Sequence, residues 1–288
     1  MPNEEYNDVE GGLGIFARRV IAYIVLILLT FLCLFWFYLL FINSTRSHAE
    51  LNRGFTLIPS KHLFTNINNV LHGTQPIFRG MLNSFIVAGS ASVLCVYFSA
   101  MTAYAIHVYD FKAKKAIFTF ILAVMMIPTQ VTALGFIKLI GVLKMSDSFL
   151  PLIVPAIAAP ATFYYMHQYM ESALPHAIVE AARIDGSPEW RTFNTISLPI
   201  MKPAIAVQMI FCFVANWNNY FTPALVLHDA KMKTLPILIA ELRGADFLKF
   251  DMGQVYVSIA LSIAPVIVVY LCLSRYIVGG VAVGSVKG

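Results

Sequence analysis

The sequence predicts an all-α, polytopic membrane protein with six transmembrane helices. Charged residues make up only 12% of the chain, about half the share of a soluble domain, and the mean hydropathy is +0.74. Six long segments contain no Asp, Glu, Lys or Arg. Each holds a run of about 20 apolar residues, which a helix needs to cross a hydrocarbon core of about 30 Å. The expected spans are about 16–42, 80–106, 116–140, 148–170, 203–227 and 253–276.

These spans form one transmembrane domain, 15–277, between an N-terminal tail, 1–14, and a C-terminal tail, 278–288. A cleaved signal peptide is the alternative for the first span. Its apolar run, 20–42, is longer than the roughly 7–15 residues of a signal core, and aromatic residues crowd its end, where a cleavage site needs small ones. We therefore expect a retained helix.

Lys and Arg do not orient the spans, because the 20 of them divide ten and ten between the two sides. Only the turn 107–115, with Lys112, Lys114 and Lys115, favours the cytoplasm. Two prolines lie inside spans. Pro128 and Pro265 each remove a backbone donor, so a break or kink is expected in the third and sixth helices.

The sequence shows no chemistry of its own. The nearest phosphate-loop candidate, Gly279-x4-Gly284, continues with Ser285 and Val286 where Lys and then Ser or Thr are needed. Cys33, Cys95, Cys212 and Cys272 each lie in a different span and are read as small buried hydrophobes rather than as disulfide or metal ligands. We expect no metal, no cofactor bound by this chain, no nucleic-acid partner and no enzymatic activity.

Ion-coupled transport is also disfavoured, because proton or sodium coupling usually needs ionisable groups at membrane depth. His107 and His167 fall at span ends, where solvated groups are expected. A secondary carrier or channel and a non-transporting membrane scaffold remain as alternatives.

The segment 171–202 is charged and helix-prone, and it lies between two spans. Pro175 suits a helix start, and Gly186 suits its stop. The helix between them would be about 13 Å long. Its apolar face has no obvious place in lipid, and with Glu180 beside it this face suits a groove on another protein. The expected face consists of Ile178, Ala181, Ala182 and Ile184.

This segment resembles the EAA-x3-G-x9-I-x-L-P signature of bacterial ABC-importer permeases at every position. The matching residues are Glu180, Ala181, Ala182, Gly186, Ile196, Leu198 and Pro199. An ordinary amphipathic cytoplasmic loop is the alternative. The wider chain, about 14–288, resembles the smaller second permease subunit of maltose-type carbohydrate importers. That wider match rests on Met126-Ile127-Pro128, Phe213 to Phe221 with Pro223, Thr234-Leu235-Pro236, and the ending Gly280 to Gly288. The chain departs from the family pattern at Ala133-Leu134-Gly135, Gly279 and Ala282.

The resemblance implies that 171–202 contains a cytoplasmic coupling helix between the fourth and fifth spans, seated in an ATPase subunit. Both termini would then be cytoplasmic, in a bacterial inner membrane. The implied partners are a second permease subunit in a heterodimer, two ATPase subunits that carry ATP and Mg, and an extracytoplasmic binding protein. Loop 229–251 would reach towards the sugar of that binding protein, and the C-terminal tail would lie between the ATPases. The implied ATPase-coupling residues are Glu180, Ala181, Ala182, Asp185, Gly186, Ile196, Leu198 and Pro199.

Candidate pathway residues follow in the fifth span, where amides and aromatic rings suit the hydroxyls and ring faces of neutral sugars. They are Asn216, Trp217, Asn218, Asn219 and Tyr220, with Gln130 beside the Pro128 break. On a helix, Asn216 and Tyr220 would share a face with Asn219 beside them. Interhelical packing is the alternative role. Sugar or oligosaccharide import is the main hypothesis, with a polyamine or phosphate importer next.

Overall fold

The computed structural model describes residues 11–73, 75–244 and 251–284, and within these ranges the chain is helical, without a strand. The predicted all-α class is thereby confirmed. The helices are α1 Gly11–Ser44, α2 His48–Asn52, α3 Leu63–His72, α4 Ile77–Val108, α5 Lys114–Val124, α6 Thr129–Leu143, α7 Leu150–Ile153, α8 Pro160–Ala173, α9 His176–Ile184, α10 Glu189–Thr192, α11 Leu198–Ile200, α12 Lys202–Trp217, α13 Phe221–Val226, α14 Leu235–Arg243 and α15 Met252–Gly284. A 3₁₀ helix, Val154–Ile157, follows α7, and a π-helix, Phe193–Ser197, joins α10 to α11. Parts of both predicted tails and of loop 229–251 lie outside the described residues.

Three single helices in the described part of the chain are long and apolar enough to cross a membrane. They are Ile15–Ser44, Ile77–Val108 and Met252–Ile277. A fourth passes only if α10–α11 and α12 are taken as one span, and these two are bent by 81°. The other predicted spans are interrupted and consist of shorter helices. Span 116–140 is divided into α5 and α6, and span 203–227 into α12 and α13. Span 148–170 is divided into α7, the 3₁₀ helix and α8.

The two internal prolines act differently. α5 ends at Val124, and Pro128 is extended (φ −62°, ψ 134°) immediately before α6, so the predicted break occurs there. By contrast, α15 continues through Pro265, so of the break or kink predicted there, the break does not occur. A 33-residue helix keeps the hydrogen bonds of its other turns when one donor is missing, so the loss at Pro265 does not end it.

The described chain folds into two compact units. The first comprises the chain as far as Asn69 together with Asp251–Ala260. In this unit, the most apolar 18-residue stretch of α1 contains no buried residue, which suits a lipid-facing helix. The turn after α1 is held by the buried Asn66, whose Nδ2 donates to Ser44 O at 2.9 Å and to Arg46 O at 2.8 Å.

Gly253, in the first turn of α15, faces this buried amide. A Cβ on Gly253 would lie 2.6 to 2.8 Å from the side-chain amide atoms of Asn66. We expect Gly253→Ala to destabilise the first unit by about 1–3 kcal/mol, since Asn66 must move and weaken both bonds. The detergent-purified protein should therefore melt several degrees lower. Gly89→Ala is the matched control, since no atom lies within 4 Å of its added Cβ. Equal melting temperatures for the two variants would contradict the contact.

The second unit, Val70–Phe250 with Leu261–Gly288, has its core where α4 packs against α8 and α12. Small residues on α4 allow this close approach, because they let helix backbones come together. Ala88, Ala91, Ala100 and Ala103 are all completely buried. Large side chains fill the remaining space, among them Phe163 and Met166 of α8 and Phe213 of α12.

Two of the four cysteines meet in this core. The Sγ atoms of Cys95 and Cys212 are 2.9 Å apart, and each lies 3.4 Å from Thr162 Oγ1. Both side chains are buried, as the sequence predicts. Cys33 and Cys272 are exposed instead, so the buried assignment is wrong for them. They lie on long apolar helices whose windows are barely buried, and hydropathy alone does not separate a core face from a lipid face.

Helix α14 is anchored on the first turns of α4. Asn83 Nδ2 donates to both Lys231 O and Lys233 O at 2.9 Å, and Ser84 Oγ accepts the Leu235 N–H at 2.9 Å. Gly80 permits this contact, since a Cβ there would strike the Leu238 side chain. The described part of the predicted loop 229–251 is therefore a docked helix.

Candidate functional site

The segment that carries the EAA signature forms α9. Pro175 precedes it in an extended conformation (φ −61°, ψ 138°), and the helix runs from His176 to Ile184. Proline suits this start because its missing N–H would be unsatisfied there in any case. The predicted short helix is therefore present.

The face of α9 that is predicted to dock on another protein is exposed except at Ala182. Val179 and Ala182 are buried, at 0% and 6% exposure, and anchor the helix to the body of the second unit. Ile178 and Ala181 are exposed, and Ile184 is 86% exposed, so three of the four residues of the predicted apolar face point away from the protein. Ala182 is buried because it lies three residues from the buried Val179 and shares its side of the helix. Glu180, Ala181, Ile184 and Asp185 are all exposed and together form what we call the coupling face.

Gly186 ends α9 in a Schellman turn. Its φ is +75°, and Asp185 is the last residue before it. The Ser187 N–H donates to Ala182 O at 2.9 Å, and the Gly186 N–H donates to Arg183 O at 3.0 Å. This pair of bonds closes the free carbonyls of the helix and requires a left-handed residue between Asp185 and Ser187. The glycine of the signature therefore has a backbone role.

A polar network ties the turn after α9 to the end of α4. Glu189 Oε1 accepts from Arg183 Nε at 2.6 Å, and Glu189 Oε2 accepts from the Tyr104 hydroxyl at 2.9 Å. The Arg183 guanidinium lies over the Tyr109 ring, 5.4 Å from its centroid. The hydrogen bond from Arg183 lowers the pKa of the Glu189 carboxyl below its ordinary value of 4.5. Charge-assisted bonds of this length are stronger than neutral ones.

Aromatic rings also connect the segment after α9 to α4. The buried Phe193 ring lies 5.8 Å from that of Tyr97 and 5.4 Å from that of Tyr104, both on α4. The Tyr97 hydroxyl donates to Asn194 Oδ1 at 3.2 Å. The segment after α9 is thus joined to α4 by both packing and hydrogen bonds. The signature specifies none of the four residues Tyr97, Tyr104, Phe193 and Asn194. Their contacts could not be predicted from sequence spacing.

The second half of the signature, residues 196–199, leads into the bend before α12. The Leu198 N–H bonds to Phe193 O in the π-helix, and Pro199, which has no N–H, follows directly. Leu198 packs against the core of the second unit, Ile196 is half-buried, and Pro199 is exposed. π-Helical turns often mark functional positions in helices. The 81° bend follows directly after these three residues, between Ile200 and Lys202.

The two histidines expected at solvated span ends are buried instead. His107 is 8% exposed and His167 is 7% exposed. His107 Nε2 hydrogen-bonds with Leu174 O at 2.9 Å, and its ring stacks on that of His176 with centroids 4.4 Å apart. His167 Nδ1 lies 3.8 Å from Glu171 Oε1. The chain folds back over these span ends, which hydropathy does not reveal.

The amide-rich stretch is where α12 ends. The helix stops at Trp217, so Asn216 and Tyr220 do not share a continuous helical face, and that prediction is wrong. Asn216 Nδ2 donates to Cys212 O at 2.8 Å, and Asn219 Oδ1 accepts the Thr222 N–H at 3.3 Å. Such local bonds between asparagine side chains and the backbone favour a helix end over a continuing helix.

Because α12 ends at Trp217, the predicted pathway residues line two different cavities. Asn216 and Asn219, with Thr132 and Thr222, line a cavity of about 480 Å³, which we call the amide cavity. Trp217, Asn218 and Tyr220 line a cavity of about 370 Å³, which we call the arginine cavity because Arg243 also lines it. Gln130 is exposed and lines neither. Thr132, Thr222 and Arg243 were not predicted, since no motif marks them.

The loop after α6 is hydrogen-bonded to the chain after α13 through Asp147. The Asp147 N–H donates to Val226 O at 2.9 Å, and its Oδ1 accepts from the N–H groups of His228 and Asp229 at 2.5 and 2.8 Å. These two N–H groups lower the pKa of the carboxyl below 3.8. Asp147 has φ +56°, which aspartate tolerates better than most residues.

Asp147→Ala should free residues 225–234. We expect hydrogen exchange of that segment to accelerate about tenfold at pH 7, which corresponds to about 1.4 kcal/mol for two partly exposed charge-assisted bonds. Asp147→Asn keeps an acceptor oxygen and should stay close to wild type. Because the native pKa is depressed, the stabilisation is complete above pH 3.8 and is lost as pH falls through the native value. Protection that changed between pH 8 and 5, after correction for intrinsic exchange, would contradict this.

The chain is similar to several known proteins. Residues 95–283 match the family described as binding-protein-dependent transport system inner membrane component. The arabinooligosaccharides transport system permease protein AraQ of Bacillus subtilis strain 168 is 33% identical over 276 residues, covering 94% of this chain and 96% of the relative. The sn-glycerol-3-phosphate transport system permease protein UgpE of Yersinia pestis bv. Antiqua is 32% identical over 276 residues, covering 93% and 96%.

A solved structure shares the fold. A bacterial ABC transporter involved in the import of the acidic polysaccharide alginate matches with a TM-score of 0.78 and 21% identity, covering 96% of this chain and 99% of the matched chain. The resemblance noted from the EAA signature is confirmed by these findings. Both relatives are described as transport system permease proteins. This chain therefore belongs to the family of inner membrane components of binding-protein-dependent transport systems.

Proposed function

We propose that this chain is the permease subunit of an ATP-driven importer for a sugar or oligosaccharide delivered by an extracytoplasmic binding protein. It pairs with a second permease subunit, and two ATPase subunits, which bind ATP and Mg, supply the energy. It crosses the inner membrane six times, with both termini and residues 171–202 in the cytoplasm. The chain itself binds no cofactor, metal or nucleic acid.

The coupling face carries this proposal. It presents Glu180, Ala181 and Ile184 outward on a helix whose opposite side, Val179 and Ala182, is buried. An 86% exposed isoleucine beside a carboxylate fits a partner groove that is apolar at its centre and basic at its rim. Movement of α9 would reach α4 through the Glu189 network and α12 through the bend, which is how a rigid-body change passes between subunits.

The translocated solute would meet the amide cavity and the arginine cavity. Their amides, hydroxyls and the Tyr220 ring match the hydroxyl groups and the CH-rich faces of sugars. The relative named for arabinooligosaccharides supports a carbohydrate solute. The relative named for sn-glycerol-3-phosphate supports a second candidate, a phosphorylated polyol.

The decisive experiment reverses one charge on the coupling face. Affinity purification of Glu180→Arg should lose the ATPase, whereas the wild-type chain retains it, because a basic groove rim would repel the new cation. Asp110→Arg is the matched control, since this carboxylate is fully exposed on the predicted cytoplasmic side and, among the described residues, pairs only with Lys114, at 3.3 Å. Retention of the ATPase by Glu180→Arg, or transport that persists without any ATPase, would overturn the proposal in favour of a carrier.

A further inference from the structure

The arginine cavity combines three kinds of side chain. Trp217 is only 2% exposed and stacks on Phe213, with centroids 5.6 Å apart, so it forms a fixed wall. Tyr220 is 49% exposed, and Asn218 is exposed beside it where α12 ends. Arg243 comes from the last turn of α14. The volume of about 370 Å³ lies within the range of small-ligand pockets.

The cavity bears a positive charge. Among the residues that the structure describes, no carboxylate forms an ion pair with Arg243. An adjoining cavity of about 310 Å³ shares Tyr220 and contains Lys233 and Glu241, which pair with each other. That pair is neutral overall, so the guanidinium supplies the net charge. The C-terminal dipole of α14 offsets only about half of a unit charge.

α14 holds the backbone of Arg243 in place, while the side chain itself is exposed. The helix is anchored to α4 through the paired bonds of Asn83 and the bond between the Leu235 N–H and Ser84 Oγ. Leu235 and Leu238 are completely or almost completely buried, so the helix cannot swing away without losing its core. A guanidinium on a fixed helix is suited to bidentate binding of a carboxylate or phosphate.

We propose that the arginine cavity binds a sugar unit carrying one anionic group, a carboxylate or a phosphate. Arg243 pairs with the anion, the Tyr220 ring covers a CH-rich sugar face, and Asn218 hydrogen-bonds to hydroxyls. This inference rests on the proposed function and adds the charge class of the solute. A neutral oligosaccharide would leave the guanidinium without an anionic partner among the residues that the structure describes.

The test measures direct binding to the detergent-purified complete transporter, without the binding protein. One probe pair is a disaccharide with one glucuronic acid residue and its carboxyl-reduced neutral form. The other pair is sn-glycerol 3-phosphate and glycerol, so the two arms separate carboxylate from phosphate. We expect at least one anionic probe to bind at least tenfold more tightly than its neutral counterpart.

Arg243→Gln should abolish this preference, and Arg243→Lys should retain part of it. Lys231→Gln is the control, because this lysine precedes α14 but does not line the cavity, and the preference should persist. Equal binding of charged and neutral probes by the wild type, or an unchanged preference in Arg243→Gln, would overturn the inference. An anion preference that persists while Glu180→Arg keeps its ATPase would instead overturn the proposed coupling alone.

Discussion

Gly186→Val is expected to uncouple solute transport from ATP hydrolysis. Gly186 has φ +75°, where a Cβ costs about 1–2 kcal/mol, and a β-branched residue is worse still. No atom lies within 4 Å of an added Cβ, so the effect comes from the backbone and not from crowding. The population of the Schellman turn would fall about five- to thirtyfold. The coupling face would then lose its fixed angle to the network at Glu189.

A substitution series isolates this cause. Asparagine tolerates the left-handed region, so Gly186→Asn should keep most of the transport, Gly186→Ala less and Gly186→Val least. The measurement is solute transported per ATP hydrolysed in proteoliposomes. Gly135→Ala is the control, because its added Cβ also meets no atom within 4 Å and its φ is not positive. Transport in Gly186→Val equal to that of the control would remove the backbone explanation.

Glu189→Ala is expected to lower transport about tenfold while the ATPase remains bound. The substitution removes the acceptor for both Arg183 and the Tyr104 hydroxyl. Tyr104 is only 4% exposed, and an unsatisfied buried hydroxyl costs about 1–3 kcal/mol. The coupling face itself is untouched, so assembly should survive and only the transmission to α4 should weaken.

A double-mutant cycle tests that explanation. If Tyr104→Phe and Glu189→Ala disrupt the same bond, their combined effect on transport will be smaller than the sum of the single effects. Glu171→Ala is the control, since this half-exposed glutamate begins the same predicted cytoplasmic segment. Within the described part of the chain its carboxylate contacts only side chains on α8, Gln168 at 3.3 Å and His167 at 3.8 Å. Strict additivity would show that the two groups act separately.

The same network sets a pH window. Because Arg183 depresses the pKa of Glu189, the stabilisation is complete above pH 4.5 and is lost as pH falls through the native value. Coupling at neutral pH is therefore expected to be independent of small pH changes. The side chains of Arg183 and Glu189 are 38% and 40% exposed, so solvent screening limits the energy of the pair.

Local sequence rules succeeded where the determining interaction is between near neighbours. Pro175 starts α9, Gly186 ends it, and Pro128 separates α5 from α6, because each acts through its own backbone geometry. The same rules failed to exclude a break at Pro265, where α15 continues. They also failed at Tyr220, because the asparagine side chains bond to the local backbone and end α12 at Trp217.

The sequence by itself determined the membrane class and the helical content, since both follow from apolar runs of fixed length and from missing charge. It also determined the family, through spaced residues that need no fold to be recognised. Only the tertiary structure decided that Ala182 of α9 faces inward, that Tyr104 is the partner of Glu189, and that Arg243 shares a cavity with Tyr220. These are contacts between residues distant along the chain, and their pairing depends on how α4, α12 and α14 pack rather than on any local pattern.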